Sequence, residues 1–264
     1  IFPHVADLPY AEVIGDPISQ SKSPLIHGFW LKKLGIVADY RACHVTAENL
    51  AAYFAERRGD SHWRGCNVTL PHKLTVLDHV PDPGGVRTSI GASNTIFRND
   101  KGDLVATNTD AAGFFAPIAD RDWVGTSAVV IGAGGAARAI LFALAQADVG
   151  HVTLFARSPL KGAALLSHFG LKGKVLGMAA PLPPADLLVN ASALGMTGQE
   201  PLLLDLSPMP SGAIVFDVVY SPLETNLLRD ARGRGLETCD GLDMLIGQAA
   251  IGFELFFGQA PPQD

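Results

Sequence analysis

Short apolar runs separated by amphipathic stretches set the pattern of the chain. Residues 10–15, YAEVIG, and residues 38–45, ADYRACHV, read as strands, while Pro24 to Leu34 and Glu48 to Arg58 read as helices after each of them. The segment GCNVTLPHK, residues 65–73, opens as a third, buried strand with Cys66, Val68 and Leu70 on alternate positions. Pro71 then ends it, because proline has no N–H for a continuing ladder. Strands alternating with helical patterns predict an α/β layer with a mostly parallel sheet. Residues 92–110 differ: two strand-like runs flank the turn NDKG, which predicts a hairpin added to that sheet. The first domain is expected to end just beyond it, at residue 111.

From Ser127 the pattern restarts with AVVI, the turn GAGGAARA, a helix to about Ala147 and the strand HVTLF at 151–155. This is a fresh β-α-β unit. Further strands are expected at 185–190 and 213–219, with a helix after Pro222, so the second domain covers 112–239. The segment DGLDMLIGQAAIGFELFF, 240–257, is apolar on most faces and predicts a well-buried helix that docks between domains or back on the first. No internal repeat is present.

Composition narrows the class. The 264 residues suffice for a core without covalent staples. With 48% apolar and 17% charged residues and no low-complexity tract, disorder is not expected. The longest apolar region, from Ala128, is interrupted by Gly132, Gly134, Gly135 and Arg138 before the roughly 20 residues of a membrane span, so no transmembrane helix is expected. The opening IFPHVADLPYAE has no basic stretch followed by an apolar block, hence no secretory signal is expected, and the missing initial Met suggests a trimmed chain. Cys43, Cys66 and Cys239, odd in number and without C-x-x-C spacing, fit reduced thiols in a cytoplasmic protein. Eight histidines without H-E-x-x-H or paired spacing support no metal site. A net charge of −6 argues against nucleic acid as a partner and leaves anionic small molecules open where basic groups are local.

One such place follows the second β-α-β strand. Gly132, Gly134 and Ala137, with Gly135 and Ala136 between them, match the G-x-G-x-x-G/A form that brings backbone N–H groups and a helix N-terminus against a pyrophosphate. At the end of the next strand an NAD enzyme places an acid for the ribose 2′-hydroxyl. Here that position is Ala156, and the nearest acid, Asp148, lies in the turn at the wrong end of the strand. ARSPLK offers Arg157, Ser158 and Lys161 instead, whose cations and hydroxyl suit a 2′-phosphate, with the Arg157 plane able to stack on adenine. A solvated basic turn at a helix start would carry the same residues. NADP is the expected cofactor.

The segment 65–73 raises a second question, because Asn67, Thr69, His72 and Lys73 crowd the point where a core strand would simply turn into solvent. Taken in order, GDPISQSKSPLIH (15–27), GCNVTLPHK (65–73), GASNTI (91–96), TNTDAAGF (107–114), GAGGAARA (132–139) and GLDMLIGQAA (241–250) resemble the shikimate dehydrogenase family across nearly the whole chain. The first four separate this family from other nicotinamide-binding proteins. The resemblance implies reversible NADPH-dependent reduction of 3-dehydroshikimate to shikimate, a step of aromatic amino acid and chorismate biosynthesis. It implies an N-terminal α/β substrate domain completed by 240–264 and a Rossmann-type NADP domain, in a cytoplasmic monomer or homodimer with neither nucleic-acid nor membrane partners.

The resemblance makes Lys73 and Asp110 the catalytic pair. Lys73 would exchange a proton with the oxygen whose carbon exchanges hydride with the cofactor, and Asp110 would hold the lysine and bond the same hydroxyl. Ser21 and Ser23 would meet the substrate carboxylate. Ser23 before Pro24 also reads as a helix N-cap, so a carboxylate there would approach a helix N-terminus. Thr69, Asn94 and Gln248 would bind the ring and its hydroxyls, as amides and hydroxyls suit neutral polar ligands. Tyr220, in DVVYSP, would lie near cofactor and substrate, and Gly241 beside the cofactor. Two departures from the family pattern stand out: Ala156 replaces the usual Asn, and Ser192 and Ala193 replace Thr and Pro in NASALGM, 190–196. A quinate/shikimate dehydrogenase preferring NAD, and a non-catalytic dinucleotide-binding module, are the alternatives. The basic ARSPLK turn speaks against the first, and the presence of both Lys73 and Asp110 against the second.

Overall fold

The computed structural model describes Phe2 and residues 7–263. Residues 1 and 3–6, on which part of the N-terminal expectation falls, and residue 264 lie outside the described residues. The chain divides into two units, Ile1–Thr109 with Gln248–Asp264 and Asp110–Gly247.

In the first unit the strands are β1 (Tyr10–Gly15), β2 (Asp39–His44), β3 (Trp63–Val68), β4 (Thr95–Arg98) and β5 (Leu104–Thr107), with helices α1 (Ser23–Leu34), α2 (Leu50–Arg58) and the single turn α3 (Val86–Ser89). The sheet runs β2-β1-β3-β4-β5. Its first three strands are parallel, and β4 and β5 add the expected antiparallel hairpin. The Asn99 carboxamide oxygen shapes the hairpin turn by accepting from the N–H groups of Lys101 and Asp103 at 3.0 and 2.9 Å, a local bond that Asn makes readily. β3 stops at Val68, and Leu70, expected inside, is 61% exposed. The backbone stays bonded to the end of β1, the Leu70 carbonyl accepting from the Asp16 N–H at 3.1 Å, while the Leu70 side chain faces outward.

The start of α1 also differs from expectation. Lys22 is the N-cap and already has right-handed φ and ψ, so Ser23 is the first helical residue and makes no cap bond. The bond is made two residues earlier, the Ser21 hydroxyl accepting from the Ser23 N–H at 3.2 Å. The helix ends where Gly35 turns left-handed at φ 66° and its N–H returns to the Leu31 and Lys32 carbonyls.

A buried charge cluster crosses this sheet. Glu12, fully buried in β1, accepts from Arg57 at 2.9 and 3.0 Å and from Arg41 at 3.0 Å, with the Tyr53 hydroxyl on the same carboxylate. α2 is thereby pinned over β1 and β2. On the other face Ala11, Val13, Trp30, Leu31 and Tyr40 share a core with Ala249, Phe253 and Phe256. His27 stacks flat on Tyr40 at 3.9 Å, and burial pushes its imidazole down to about 3, so it is a neutral core ring.

The second unit contains α4 (Asp110–Phe115), β6 (Ser127–Ile131), α5 (Gly135–Gln146), β7 (His151–Phe155), α6 (Pro159–His168), β8 (Gly173–Leu176), β9 (Leu187–Asn190), β10 (Ile214–Asp217), α7 (Asn226–Gly233) and β11 (Glu237–Cys239). Its strands are all parallel in the order β11-β10-β9-β6-β7-β8. Counted from β6 this is the doubly wound order 3-2-1-4-5-6, with the reversal between β6 and β9. Apolar clusters cover both faces, as a parallel sheet requires.

The unit borders differ from the expected 111/112 and 239/240. Asp110 and Ala111 belong to α4, whose Phe114 ring lies 4.9 Å from Phe216 of β10. The last helix, α8 (Gly241–Phe257), starts in the second unit, where Met244 joins the core of β6 and α5, and continues into the first from Gln248. Among the described residues no helix is long and apolar enough to cross a membrane, and no group of His, Cys, Asp or Glu is placed to hold a metal.

Candidate active site

In the second unit the glycine turn joins β6 to α5 at the strand-order reversal. Gly132 has φ 108°, and a Cβ there would lie 3.2 Å from the backbone of Ala191 and Ser192. Both facts demand glycine. Gly134 is the N-cap of α5, and a Cβ on it would meet nothing within 4 Å, so the approach to the helix start is open. The amides of Gly134, Gly135, Ala136 and Ala137 precede the first helical bond, from the Arg138 N–H to the Gly134 carbonyl at 3.1 Å. These residues fit a pyrophosphate: free N–H groups at a helix N-terminus face a space that no side chain fills.

A cavity of about 430 Å³ extends from this turn along the end of β7, lined by Gly132, Gly134, Ala156, Arg157, Ser158, Lys161 and, across it, Ser192 to Leu194. Gly135, Ala136, Ala137 and Gly241 do not line it. Ala156 is buried and Arg157 and Lys161 are exposed, so no acid stands where a ribose 2′-hydroxyl would be held. Ser158 is the N-cap of α6, its hydroxyl accepting from the Lys161 N–H at 3.3 Å. That bond uses a lone pair and leaves the hydroxyl proton for an anion. Asp148 sits in the turn before β7 with left-handed φ 57°. Gly241 is required by packing, since a Cβ would lie 2.3 Å from the Val218 carbonyl oxygen. Tyr220 follows β10, and burial raises its hydroxyl above the usual range.

In the first unit, polar side chains gather beyond β3. The Asn94 amide donates to Thr109 Oγ1 at 2.8 Å and to Gln248 Oε1 at 3.2 Å, while its oxygen accepts from the Thr109 N–H at 2.7 Å. Asn94 and Gln248, 154 positions apart in sequence, are thus brought together. The network continues through Thr95 to Asn67, whose amide donates to Thr95 Oγ1 at 3.0 Å and whose oxygen accepts from the Tyr40 hydroxyl at 2.6 Å. Ser23 is buried and its hydroxyl bonds that of Tyr40, whereas Ser21 is partly exposed. Gly252 lets α8 pass over this network, a Cβ there lying 3.2 Å from Asn67 Nδ2.

Thr69 follows β3, with its N–H on the Ile14 carbonyl at 3.0 Å. His72 is buried with Nε2 at 2.6 Å from the Val45 carbonyl, so Nε2 carries the proton and His72 is a structural donor. Lys73 is half-buried, and its carbonyl accepts from the Ser93 N–H at 2.7 Å, which ties it to the segment carrying Asn94. Asp110 is buried at the first residue of α4, in the second unit. Tyr40, Thr95 and Thr109 were not singled out from the sequence, and Asn67 only as part of the polar crowd. The signal for Asn67 was an amide on a strand position that alternation marks as buried.

A parallel sheet of this order with an open glycine turn at its reversal defines a dinucleotide-binding α/β protein. Comparison with known proteins narrows this. Residues 13–96 match the model of the shikimate dehydrogenase substrate binding domain, and residues 241–264 that of the shikimate 5′-dehydrogenase C-terminal domain. The chain is 65% identical to a shikimate dehydrogenase (NADP(+)) of Sphingopyxis alaskensis, over 97% of this chain and 93% of that one. Among solved structures it resembles the shikimate 5-dehydrogenase of Thermus thermophilus in complex with NADP(H) and shikimate, with TM-score 0.83 and 36% identity over 97% of this chain and 95% of that one. It also resembles the ligand-free 5-ketofructose reductase of a Gluconobacter species, with TM-score 0.88 and 29% identity over 98% and 96% of the two chains. The chain belongs to the shikimate dehydrogenase family.

Proposed function

We propose that this protein is an oxidoreductase that reversibly reduces 3-dehydroshikimate to shikimate with NADPH. The likeness to the Sphingopyxis enzyme, which runs through both units, carries the reading. The geometry supports it. The first unit, with the C-terminal part of α8, presents a neutral amide and hydroxyl cluster suited to a polyhydroxylated ring, and the second presents a dinucleotide turn followed by cations.

NADPH held at the glycine turn would supply the hydride and, in its oxidised form, would accept it back from shikimate. Lys73 donates the proton that the reduced carbonyl oxygen needs and reclaims it in the reverse direction, with Asp110 holding the lysine ammonium and the same hydroxyl. Asn94, Gln248 and Thr69 orient the ring, with Tyr220 near the reacting carbon. The substrate carboxylate is met by Ser21 and Ser23. Ser21 has its hydroxyl proton to give, since its bond to the Ser23 N–H uses only a lone pair. Ser23 must turn its proton away from Tyr40 to contribute. Gly132 to Ala137 would hold the pyrophosphate, Arg157, Ser158 and Lys161 the 2′-phosphate, and Gly241 would lie beside the cofactor. Three buried, unbridged cysteines fit the reducing cytoplasm, where the protein acts as a monomer or homodimer.

A spectrophotometric assay of shikimate or quinate, each with NADP or NAD, tests the reading. Shikimate with NADP is expected to give the highest kcat/KM, and a higher value for quinate with NAD, or no turnover in any combination, overturns it. The cofactor preference has its own test. Charge-assisted bonds contribute about 1.5 to 3 kcal/mol each, more than tenfold in affinity. Replacing both Arg157 and Lys161 with Ala is therefore expected to weaken NADP far more than NAD in a titration of cofactor fluorescence. Equal weakening of both would remove the 2′-phosphate assignment.

A further inference from the structure

Two buried polar side chains in the second unit have no part in the scheme above. Asn190 ends β9 and Asp217 ends β10, and both are almost wholly buried at the C-terminal edge of the sheet. Asp217 accepts from Asn190 Nδ2 at 3.1 Å, from the Val219 N–H at 3.0 Å and from Thr225 Oγ1 at 2.7 Å. Among the described residues these partners are all neutral, and burial raises the carboxyl above its usual range. A carboxylate kept inside with no cation is a costly way to hold a fold, since apolar groups of the same size pack there at no such cost.

What it holds is specific. The Asn190 amide also donates to the Leu194 carbonyl at 3.0 Å, and its oxygen accepts from the Ser192 hydroxyl at 2.6 Å and the Ser192 N–H at 3.1 Å. Ser192 Oγ in turn accepts from the Leu194 N–H at 3.2 Å. The loop after β9 is thus wound around one carboxamide. Asp217 fixes that carboxamide and, through Val219 and Thr225, both ends of the next loop, which carries Tyr220. A second tie joins the loops, the Thr197 N–H donating to the Ser221 carbonyl at 2.7 Å. Ser192, Ala193 and Leu194 line the dinucleotide cavity, on the side of the glycine turn away from Arg157 and Lys161. In a sheet of this order the adenine half of a dinucleotide lies over β7 and the reactive ring over β9, beyond the reversal.

We propose that Asp217 and Asn190 are positioning residues that, through Ser192, hold the loop 191–199 in the shape that receives the nicotinamide half of NADP. This rests on the dinucleotide reading above. It also explains how Ser192 and Ala193 serve where the family has Thr and Pro: the serine hydroxyl keeps the loop bonded without the stiffness of proline.

The test separates the two halves of the cofactor. Ser192→Ala, Asn190→Ala and Asp217→Ala are titrated with NADPH and with adenosine 2′,5′-bisphosphate, which carries only the adenine half. Loss of a buried hydrogen bond of this kind is expected to weaken NADPH about five- to thirtyfold, with the bisphosphate unchanged within about twofold. The kcat should fall while the KM for shikimate stays within about threefold, and Ser192→Thr, which keeps the hydroxyl, should behave as the unaltered protein. Equal losses for NADPH and the bisphosphate would mean a general loss of structure and overturn the proposal, as would unchanged NADPH binding in the variants. Should Asn190→Ala or Asp217→Ala not fold, the partly exposed Ser192→Ala decides. Failure of the unaltered protein to bind either ligand would instead overturn the dinucleotide reading itself, and this proposal with it.

Discussion

Lys73→Ala is expected to lower kcat by roughly 10² to 10⁴, with substrate affinity changed much less, because proton transfer at the reacting oxygen is an interaction of the transition state. The change keeps the backbone tie at this position, since the bond to Ser93 is made by the carbonyl of residue 73. Lys73→Arg distinguishes charge from proton. Arginine keeps the cation but does not release a proton near neutral pH, so Lys73→Arg should remain nearly inactive. Substantial rescue by Arg, with circular dichroism showing an intact fold, would make Lys73 a positioning cation, and a defect confined to KM in Lys73→Ala would say the same.

The largest expected loss of stability comes from Arg57→Met. Glu12 would remain fully buried in β1 with its two-pronged partner gone, and breaking a buried pair from one side costs about 3 to 5 kcal/mol. Removing the charge as well should restore much of this, since apolar side chains fill such a site without desolvation cost. The double variant Glu12→Leu with Arg57→Met is therefore expected to unfold at a higher urea concentration than Arg57→Met alone. A double variant as unstable as the single one would show that packing of the Arg57 stem, not its charge, holds α2 to the sheet.

The parts of the fold legible from the sequence are those where one physical signal dominates. β1 and β7 occupy the residues expected because each is a compact apolar run bounded by turn residues. β8 and β11 were not expected. They are four- and three-residue edge strands in which Lys174 and Glu237 face solvent, and nothing distinguishes such a run from a loop until the neighbouring strand supplies the ladder. The start of α1 was misplaced for a related reason. Ser23 before Pro24 has the chemistry of a cap, but its hydroxyl is drawn inward to Tyr40, a partner set by the register of β2.

The candidate site shows the same division. The glycine turn and the basic residues after β7 are local and could be read from spacing alone. The Asn94, Thr109 and Gln248 cluster could not, because no periodicity links Asn94 to a glutamine on the last helix. Gln248 came into view only through resemblance. Thr109 and Tyr40 look like ordinary loop and strand residues until their hydroxyls are seen to complete the network. Asp217 and Asn190 were hidden because each ends an apolar run, where a polar residue reads as the first residue of a loop.

The return of α8 to the first unit has a consequence for synthesis. Ala249, Phe253 and Phe256 complete the core built on Ala11, Val13, Trp30 and Tyr40, yet the whole second unit is translated between them. At about 5 to 20 residues per second, the N-terminal sheet waits on the order of ten seconds on the ribosome before its last core side chains emerge. The second unit, whose strands are contiguous in sequence, has its core side chains in hand first. In order of synthesis, the second unit therefore completes its core before the first, and the face around Trp30 is the last part of the first core to be covered.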